Sequence, residues 1–248
     1  TRVRSSAASD VYKRQDEETP WKDTLLLAES SMFGSSIAPY RNGGNGTEEK
    51  IYMKSLFHAA YRREVFEEIG HYNESLARTE DNEIHYRMRK AGFKLRFCPD
   101  IISYQHTRSS LPKMLKQKYG NGYRIGKTSK VCPKCLSIYH FVPFAFVSAI
   151  IASGSVIGAT GLAECIKKRH NHTLGKGISA LRKVTVVLTT VMWVLYALMA
   201  SGMAAVSAFK AEDKRNITNA CLPVLFLLLH LSYGIGTIAG LMDKSKRG

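Results

Sequence analysis

The stretch Arg78-Thr79-Glu80-Asp81-Asn82-Glu83 places two adjacent carboxylates at the start of an amphipathic helix. Thr79 is a favourable N-cap residue, and acidic side chains in a first turn interact favourably with the helix dipole. Apolar residues then recur at helical spacing until Gly92, a typical end signal. The pattern predicts a helix over 79–91 whose first turn carries both carboxylates. Acidic first turns are usually structural, so the surrounding sequence decides whether this one also has a function.

Short helices and strands surround this acidic helix. Residues 21–32 and 62–69 have the apolar spacing of short helices, and residues 51–59 alternate apolar and polar side chains as a strand does. A second alternating run at 93–97 predicts a strand that ends in a turn at Pro99-Asp100. The order strand, helix, helix, strand predicts half of a mixed α/β domain.

Composition and charge distinguish between two classes of partner. The chain has 248 residues, 45% of them hydrophobic, with a formal net charge of +16 and a pI near 9.7. Such a charge suits either nucleic acid or an anionic membrane surface. Three runs without Lys, Arg, Asp or Glu, at 141–162, 184–209 and 221–242, are each long enough to cross about 30 Å of hydrocarbon. They predict a helical transmembrane region with two or three spans, and they argue against a nucleic-acid partner.

The chain divides into five parts. Residues 1–15 have no useful periodicity and resemble translated vector sequence, so we expect a non-native leader there. Residues 16–108 form the α/β part, 109–139 an amphipathic linker, 140–242 the membrane region and 243–248 a basic tail.

The amphipathic linker begins with a stretch, residues 109–127, that has an apolar stripe on one helical face. Lys113, Lys116 and Lys118 lie off this stripe, which favours a helix lying on an anionic membrane surface. A soluble surface helix has the same pattern, so both interpretations stay open.

Basic residues leave two membrane topologies open. If all three apolar runs span, the loop between the first two runs and the tail lie opposite the α/β part, against the positive-inside tendency. If the first run, weakened by Ser153-Gly154-Ser155, dips in and returns, both basic stretches lie on the cytoplasmic side. The charges favour this second topology. The cations concerned are Lys167, Lys168, Arg169, Lys176, Arg182 and Lys183 in the loop, and Lys244, Lys246 and Arg247 in the tail.

Several short motifs follow one another through the chain. They are, in order, Tyr61-Arg62-Arg63-Glu64-Val65-Phe66-Glu67-Glu68-Ile69-Gly70, Tyr72-Asn73-Glu74, Thr79-Glu80-Asp81, Tyr86-Arg87-Met88-Arg89-Lys90-Ala91-Gly92, Pro99-Asp100, Arg108-Ser109-Ser110-Leu111, Gln117 and His230-x-x-Tyr233-Gly234-x-Gly236. In this order and spacing they resemble the family 2 glycosyltransferases, and most closely the membrane exopolysaccharide (succinoglycan-type) enzymes. The resemblance covers about residues 25–242.

This resemblance implies a GT-A fold and an inverting transfer of a sugar from a nucleotide-sugar donor. In the family, the aspartate of the Glu-Asp motif is the catalytic base, which implies this role for Asp81 and an acceptor-shaping role for Glu80. Chemically, a carboxylate within hydrogen-bond reach of an acceptor hydroxyl can take its proton as that hydroxyl attacks.

The resemblance also implies three substrate-binding residues. A polar cluster after the next strand faces the donor diphosphate in the family, which implies such a role for Arg108. Gln117 lies where the Gln-x-x-Arg-Trp motif of processive synthases begins, but neither the Arg nor the Trp follows. Transfer of a single sugar is therefore favoured over polymerisation, and Arg124 is the nearest cation that can replace the missing arginine.

The family uses a divalent metal, Mg²⁺ or Mn²⁺, held by an Asp-x-Asp motif that this sequence lacks. We therefore expect the main metal ligands in a nucleotide-binding half outside this chain, and we expect this part alone to be inactive. His106 at a strand end either approaches the metal, as a histidine does in some GT-A enzymes, or is simply hydrogen-bonded there. Cys132-Pro133-Lys134-Cys135 resembles half a zinc knuckle, but no second cysteine pair completes four ligands.

Taken together, these patterns favour the C-terminal part of a glycosyltransferase of exopolysaccharide biosynthesis. We expect it in the inner membrane, multi-pass, with its catalytic part cytoplasmic. Its partners would be a nucleotide-sugar donor, a lipid-linked or oligosaccharide acceptor, and membrane lipids. The rival hypothesis is a non-catalytic membrane-anchored scaffold whose basic module binds anionic lipid or a partner protein. A transporter is disfavoured, since no charge lies inside the apolar runs.

Overall fold

The computed structural model describes residues 5–14, 19–34, 50–51, 53–56, 59–76, 78–169 and 175–244. Within these ranges the chain is mostly helical. Its helices are α1 (Pro20–Ser30), α2 (Arg63–Ile69), α3 (Glu80–Lys90), α4 (Leu111–Val131), α5 (Val142–Arg169), α6 (Lys176–Lys210) and α7 (Leu222–Met242). Its strands are β1 (Ser5–Arg14), β2 (Lys50–Ile51), β3 (Ala59–Ala60) and β4 (Lys94–His106). Short 3₁₀ turns at Pro133–Cys135, Ile138–Phe141, Glu212–Lys214 and Ile217–Cys221 join the later helices.

The described strands form one small sheet in the order β2-β4-β1-β3. Its centre is the parallel pair of β1 and β4, with β2 and β3 as antiparallel edges of two residues each. β1 comes from the segment that the sequence analysis assigns to a leader. So little sheet does not establish the predicted GT-A domain, whereas the predicted helical membrane region is confirmed at the level of helices.

Two local strand predictions differ from the structure. Of the predicted strand 51–59, Ile51 lies in β2 and Ala59 in β3, whereas Ser55 and Leu56 between them hydrogen-bond to the ring of His85. The predicted turn at Pro99-Asp100 is instead an irregularity inside β4. There the pairing partner changes from Cys98, opposite Ser9, to Ile102, opposite Asp10.

The acidic helix is confirmed as α3, with Thr79 at the N-cap position. However, the Thr79 hydroxyl makes no capping bond; it lies 2.5 Å from the hydroxyl of Thr128 on α4. Ile84 and Met88 are fully buried on the inner face of α3. Met88 packs in a core with α2 and the strands, formed by Leu56, Val65, Met88, Phe93, Leu95 and Phe97.

The predicted amphipathic helix 109–127 is present as α4, but protein covers its apolar stripe. Met114 and Ile125 are buried, and the helix packs along α7 in the same direction. Ser232 of α7 donates to the carbonyl of Leu115 at one end, while Lys130 donates to the carbonyl of Asp243 at the other. The stripe of α4 is therefore not available to lie in a lipid surface.

Glycines let the backbones of α4 and α7 touch. A Cβ atom added at Gly122 of α4 would overlap the carbonyl oxygen of Tyr233, and one added at Gly236 of α7 would overlap that of Tyr119. Gly126 and Gly240 meet the facing backbone in the same way. We call these four residues the glycine seam. Small residues at such spacing allow the closest helix approach.

A second core joins α7 to its other neighbours. It combines residues from α1, α4, α6 and α7, so that α7 is covered on several sides. Its buried members are Leu25, Leu27, Ala28, Met114, Ala200, Ala204, Leu222, Leu225, Phe226 and Leu229.

Three helices are long and apolar enough to cross a membrane by length and composition: Ile138–Arg169, Lys176–Lys210 and Ile217–Met242. Only 6% of the most apolar window is buried in each of the first two, against 39% in the third. α5 runs unbroken through Ser153-Gly154-Ser155, so the prediction that the first segment turns back inside the membrane is wrong. Membrane association is thus supported, with α5 and α6 presenting most of the exposed apolar surface.

We expect Gly122→Ala to destabilise the protein by about 1–3 kcal/mol, because the added methyl group forces the helices of the seam apart. Gly120→Ala, two residues earlier on the same helix, is the control, since a Cβ there meets nothing within 4 Å. Helix propensity alone should make this control neutral or more stable by up to about 1 kcal/mol. Thermal unfolding in detergent measures both. Equal melting temperatures for the two variants would contradict the seam.

Candidate functional site

The two candidate carboxylates lie in the first turn of α3. Glu80 and Asp81 are half-buried, and the Asp81 carboxylate accepts a hydrogen bond of 2.7 Å from the backbone N–H of Asn82. The N-terminus of a helix favours negative charge. The preceding Arg78 has φ +74°, a left-handed conformation that is unusual for arginine. Backbone strain of this kind tends to occur at functional sites.

The start of α3 faces one side of α4. The Arg78 guanidinium donates to the amide oxygen of Asn121 at 3.5 Å, and Thr79 and Thr128 share the short hydroxyl bond. Arg124 lies between Asn121 and Thr128 at helical spacing, so it shares the face that meets the start of α3. The structure thus brings the predicted Arg124 to the same edge as the predicted carboxylates.

Two polar atoms at this edge are buried without a hydrogen-bond partner among the described residues. They are Oε2 of Glu80 and Nη1 of Arg124. Buried polar atoms are nearly always hydrogen-bonded, so each such atom calls for an explanation. Since one is an acceptor and the other a cationic donor, they fit a polar ligand that enters between α3 and α4.

The opposite side of α3 is held by a buried histidine. The ring of His85, fully buried, has Nε2 2.7 Å from the Tyr61 hydroxyl and Nδ1 3.1 Å from the Ser55 hydroxyl. The backbone N–H of Leu56 also donates to Nδ1, which leaves the neutral imidazole hydrogen on Nε2, directed to Tyr61. His85 lies one turn after Asp81. This network therefore fixes the rotation of α3 and the position of its first turn.

Electrostatics agree with a neutral, rigid support behind the carboxylates. Burial, with a smaller effect from the Arg89 charge, lowers the pKa of His85 to about 4. Burial raises the pKa of Tyr61, and the neighbouring Tyr72 and the charges of Asp81 and Glu80 raise it further. Near neutral pH both side chains are uncharged, so they hold α3 without changing the charge of the site.

Arg87, a cation within the motifs, has a structural role. Arg87 pairs with Glu83 through two bonds of 2.8 Å and donates to the carbonyls of Ile69 and His71 at the end of α2. It thereby ties α2 to α3. This explains the presence of Arg87 in the sequence without a role in chemistry.

The remaining predicted residues lie at the start of α4. The Arg108 guanidinium donates to the amide oxygen of Gln117 at 3.3 Å, so these two side chains are paired with each other. Gln117 and Arg124 are seven residues apart on one helix, a rise of about 10 Å. The structure therefore separates the three predicted substrate-binding residues into a pair, Arg108 and Gln117, and Arg124 beside α3.

The described residues do not fit a bound divalent metal. No three His, Cys, Asp or Glu side chains in the described ranges converge as metal ligands. His106 is exposed at the end of β4. In the Cys132–Cys135 turn the Cys135 thiol donates to the Cys132 carbonyl, and both thiols are free. We therefore assign no step of the chemistry to a metal held by this part of the chain.

Sequence reasoning missed the residues that position the site. The sequence patterns assign no positioning role to Tyr61, His85, Asn121 or Thr128, because each acts through a contact made between distant elements. His85 had one available signal, a histidine on the apolar face of α3.

We expect acid to destabilise the protein through His85. The folded-state pKa of about 4 lies below the unfolded value of about 6.5, so the unfolded chain binds more protons between these values. Stability should therefore fall as pH falls from 6.5 to 4, by about 2 kcal/mol at pH 5. His85→Gln should reduce this loss, whereas His71→Gln, at an exposed histidine, should keep it. Urea unfolding at pH 7.5 and 5 measures the loss of stability in each variant, and hydrogen exchange of the α3 amides shows whether it arises in α3. Equal acid sensitivity in the two variants would refute the role of His85.

Comparison with known proteins identifies three relatives. The chain is 30% identical over 102 residues to the succinoglycan biosynthesis protein ExoA of Rhizobium meliloti (strain 1021), covering 41% of this chain and 30% of the relative. It is 36% identical over 69 residues to the O-antigen chain rhamnosyltransferase WbaN of Salmonella anatum, covering 28% of this chain and 21% of the relative. The O-antigen chain rhamnosyltransferase RfbN of Salmonella typhimurium is 33% identical over 75 residues, covering 29% of this chain and 24% of the relative.

These matches are partial. The chain spans less than a third of the length of each relative, no family model matches it, and no solved structure matches it. Within that scope they confirm the resemblance that the motifs predict: the chain is similar to glycosyltransferases of exopolysaccharide and O-antigen synthesis.

Proposed function

We propose that this chain is part of a membrane glycosyltransferase that transfers one sugar, with inversion, from a nucleotide-sugar to a saccharide acceptor. The acceptor is lipid-linked or an oligosaccharide, and the product enters an exopolysaccharide or its precursor. The observation that carries the proposal is the edge between α3 and α4. There Glu80 and Asp81 begin one helix, and Arg124 lies on the facing side of the other.

Asp81 acts as the general base in this proposal. It is half-buried at a helix N-terminus, and a carboxylate there can accept a proton from an acceptor hydroxyl. As the hydroxyl loses this proton, its oxygen attacks the anomeric carbon, and the nucleoside diphosphate leaves from the opposite face of the sugar.

Glu80 and Arg124 bind the substrates. The unpartnered oxygen of Glu80 suits an acceptor hydroxyl, which donates. The unpartnered nitrogen of Arg124 suits an anionic oxygen, such as that of a diphosphate. Arg108 and Gln117 bind substrate only after their mutual hydrogen bond opens. The divalent metal and the rest of the donor site belong to parts of the enzyme beyond the described residues.

The membrane supplies the acceptor. Exposed apolar helices hold the protein in the inner membrane, as a multi-pass protein, with the α/β part on the cytoplasmic side. A lipid-linked acceptor is then confined to the same surface as α3 and α4.

The rival hypothesis, a non-catalytic membrane scaffold, predicts a different pattern of variants. A scaffold that binds anionic lipid depends on exposed lysines such as Lys113 and Lys116, and does not need Asp81. Within the part of the chain that the structure describes, Glu80 and Arg124 each bury a polar atom without a partner, which favours the enzyme because a scaffold has no reason to bury them unpaired.

Asp81→Asn in the full-length enzyme should reduce sugar transfer by about 10²–10⁴-fold, because the amide cannot accept the proton. The protein should still insert in the membrane, since the substitution leaves the apolar helices unchanged. Glu64→Gln, an equal charge change at an exposed position on α2, is the control and should keep normal turnover. Transfer from a radiolabelled nucleotide-sugar in membrane fractions is the assay. Near-normal turnover of Asp81→Asn would overturn the proposed base.

Arg124→Gln should lower kcat/KM for the nucleotide-sugar by about 10–100-fold, the loss expected for one charge-assisted hydrogen bond. Lys116→Gln, at an exposed cation on the same helix, should leave kcat/KM within about twofold of normal. Steady-state kinetics at varied donor concentration compare the two variants. An equal loss in both would point to general attraction by the basic helix instead of a specific contact.

A further inference from the structure

We propose that the chain crosses the membrane twice, through the hairpin of α5 and α6, and that α7 does not cross. Although α7 is apolar enough to span, it lies together with the α/β part on one side of the membrane. This inference concerns topology and is independent of the sugar, the acceptor and the reaction.

The N-terminal end of α7 is bound to α1. The Thr24 hydroxyl of α1 lies 2.6 Å from the Thr218 hydroxyl and 2.7 Å from Oδ1 of Asn219, in the turn that leads into α7. One residue earlier on α1, Asp23 pairs with Lys214 at 3.6 Å. Below these polar contacts Phe226 of α7 packs in the buried core with α1. This end of α7 therefore lies beside the α/β part.

Further along α7, contacts to the same part continue. His230 has Nε2 2.7 Å from the carbonyl oxygen of Phe33, just after α1, and Nδ1 3.0 Å from the Tyr196 hydroxyl. The imidazole of α7 is therefore satisfied by protein groups and needs no water. α7 packs against α1, α4, α5 and α6, so its apolar composition suits a core helix as well as a membrane span.

The C-terminal end of α7 is bound beside the candidate site. Asp243 accepts a hydrogen bond from Tyr123 and pairs with Lys127 at 3.5 Å, both on α4. The next residue of α4, Thr128, holds Thr79 at the start of α3. The N-terminal end of α7 is therefore fixed to α1, and its C-terminal end to α4, which is itself bonded to α3. A helix cannot cross a bilayer while both its ends stay on one side.

The glycine seam excludes a crossing in a second way. Because the backbones of α4 and α7 touch from Tyr119 to Gly240, a crossing α7 would carry α4 into the hydrocarbon beside it. α4 holds six cations in 21 residues: Lys113, Lys116, Lys118, Arg124, Lys127 and Lys130. Cations at that depth are strongly disfavoured.

The hairpin has the opposite character, and lipid hydrocarbon is the partner that fits it. Between Val147 and Thr160 no residue of α5 is buried, and a Cβ atom at Gly154 or Gly158 would meet nothing within 4 Å. α6 exposes large apolar side chains along the same length, including Leu188 (64%) and Leu195 (55%). The 28 residues of α5 give about 42 Å of helix, enough to cross the hydrocarbon. An ion pair between Glu164 and Arg182 joins the two helices near the tip.

The positive-inside tendency does not oppose a topology with two spans, because cations lie at both ends of the hairpin. Six cations lie close in sequence to the base of the hairpin: Lys127, Lys130, Lys134, Lys210, Lys214 and Arg215. The six cations near the tip, from Lys167 to Lys183, balance them. Three spans would instead add the three cations of the tail to the side of the tip, increasing the imbalance that the positive-inside tendency disfavours.

Single-cysteine labelling in intact cells tests the topology, using native Cys165 near the tip and native Cys221 before α7, both exposed. A third variant carries Lys244→Cys after α7 in a cysteine-free chain, and that cysteine-free chain is the control for unspecific labelling. We expect a membrane-impermeant maleimide to separate the variants. Cys221 and the cysteine at position 244 should react from the same side, and Cys165 from the opposite side.

Two results would overturn the proposal. If positions 221 and 244 react from opposite sides, α7 crosses. If Cys165 reacts from the same side as Cys221, the hairpin does not cross and something else, such as a second copy of the chain, covers it. Should the cysteine-free chain fail to fold, fluorescent and alkaline-phosphatase reporters fused after Gly248 of the native chain decide between the topologies: the C-terminus should lie on the same side as an N-terminal tag. Transfer activity is not needed for any of these readouts, so failure here leaves the proposed function untouched.

Discussion

The contact on which the rest of the structure depends is the glycine seam between α4 and α7. Four glycines bring two helix backbones into direct contact, where any side chain would separate them. Packing this close gains dispersion contacts along both helices and needs no cavity-filling side chains. It also fixes the depth and direction of α4 relative to α7. The start of α3 is bonded to α4, so its position also depends on this seam.

The seam links the membrane region to the candidate site. On one face α4 touches α7; on another it presents Asn121, Arg124 and Thr128 to the first turn of α3. If α7 crossed the membrane, α4 would follow, at a cost of about 2.5–3.5 kcal/mol for each cation near the bilayer centre. The proposed topology avoids this cost, because it keeps α4 and α7 beside the α/β part and places only the hairpin of α5 and α6 in lipid. A lipid-linked acceptor would then arrive close to Asp81.

The two sides of α3 have different roles: one is held by neighbouring parts of the protein, and the other carries the candidate site residues. On the buried side His85 bonds to Tyr61 and Ser55, and Arg87 donates to the carbonyls of Ile69 and His71, so removal of either side chain loosens the helix. On the side toward α4, Glu80 and Arg124 each keep a buried atom that has no hydrogen-bond partner among the described residues, which costs stability. Buried unpaired atoms of this kind are most easily explained where a ligand supplies the missing hydrogen bonds. The similarity to ExoA, WbaN and RfbN names the class of ligand, a sugar and its activated donor, that the proposal adopts.

The sequence by itself determined the features that depend on local periodicity. The acidic helix, its neighbour α2, the strand after Gly92 and the apolar helices follow from spacing that each segment carries alone. The motifs likewise pointed to glycosyltransferases without any tertiary information. Tertiary structure decided what depends on contacts between distant segments. It joined Thr79 to Thr128, paired Arg108 with Gln117, and covered the stripe of α4 with α7. Hydropathy gives α5, α6 and α7 the same character, because it records composition and not neighbours. Only the packing distinguishes α7, which contacts four other helices, from α5 and α6, whose apolar side chains stay mostly exposed.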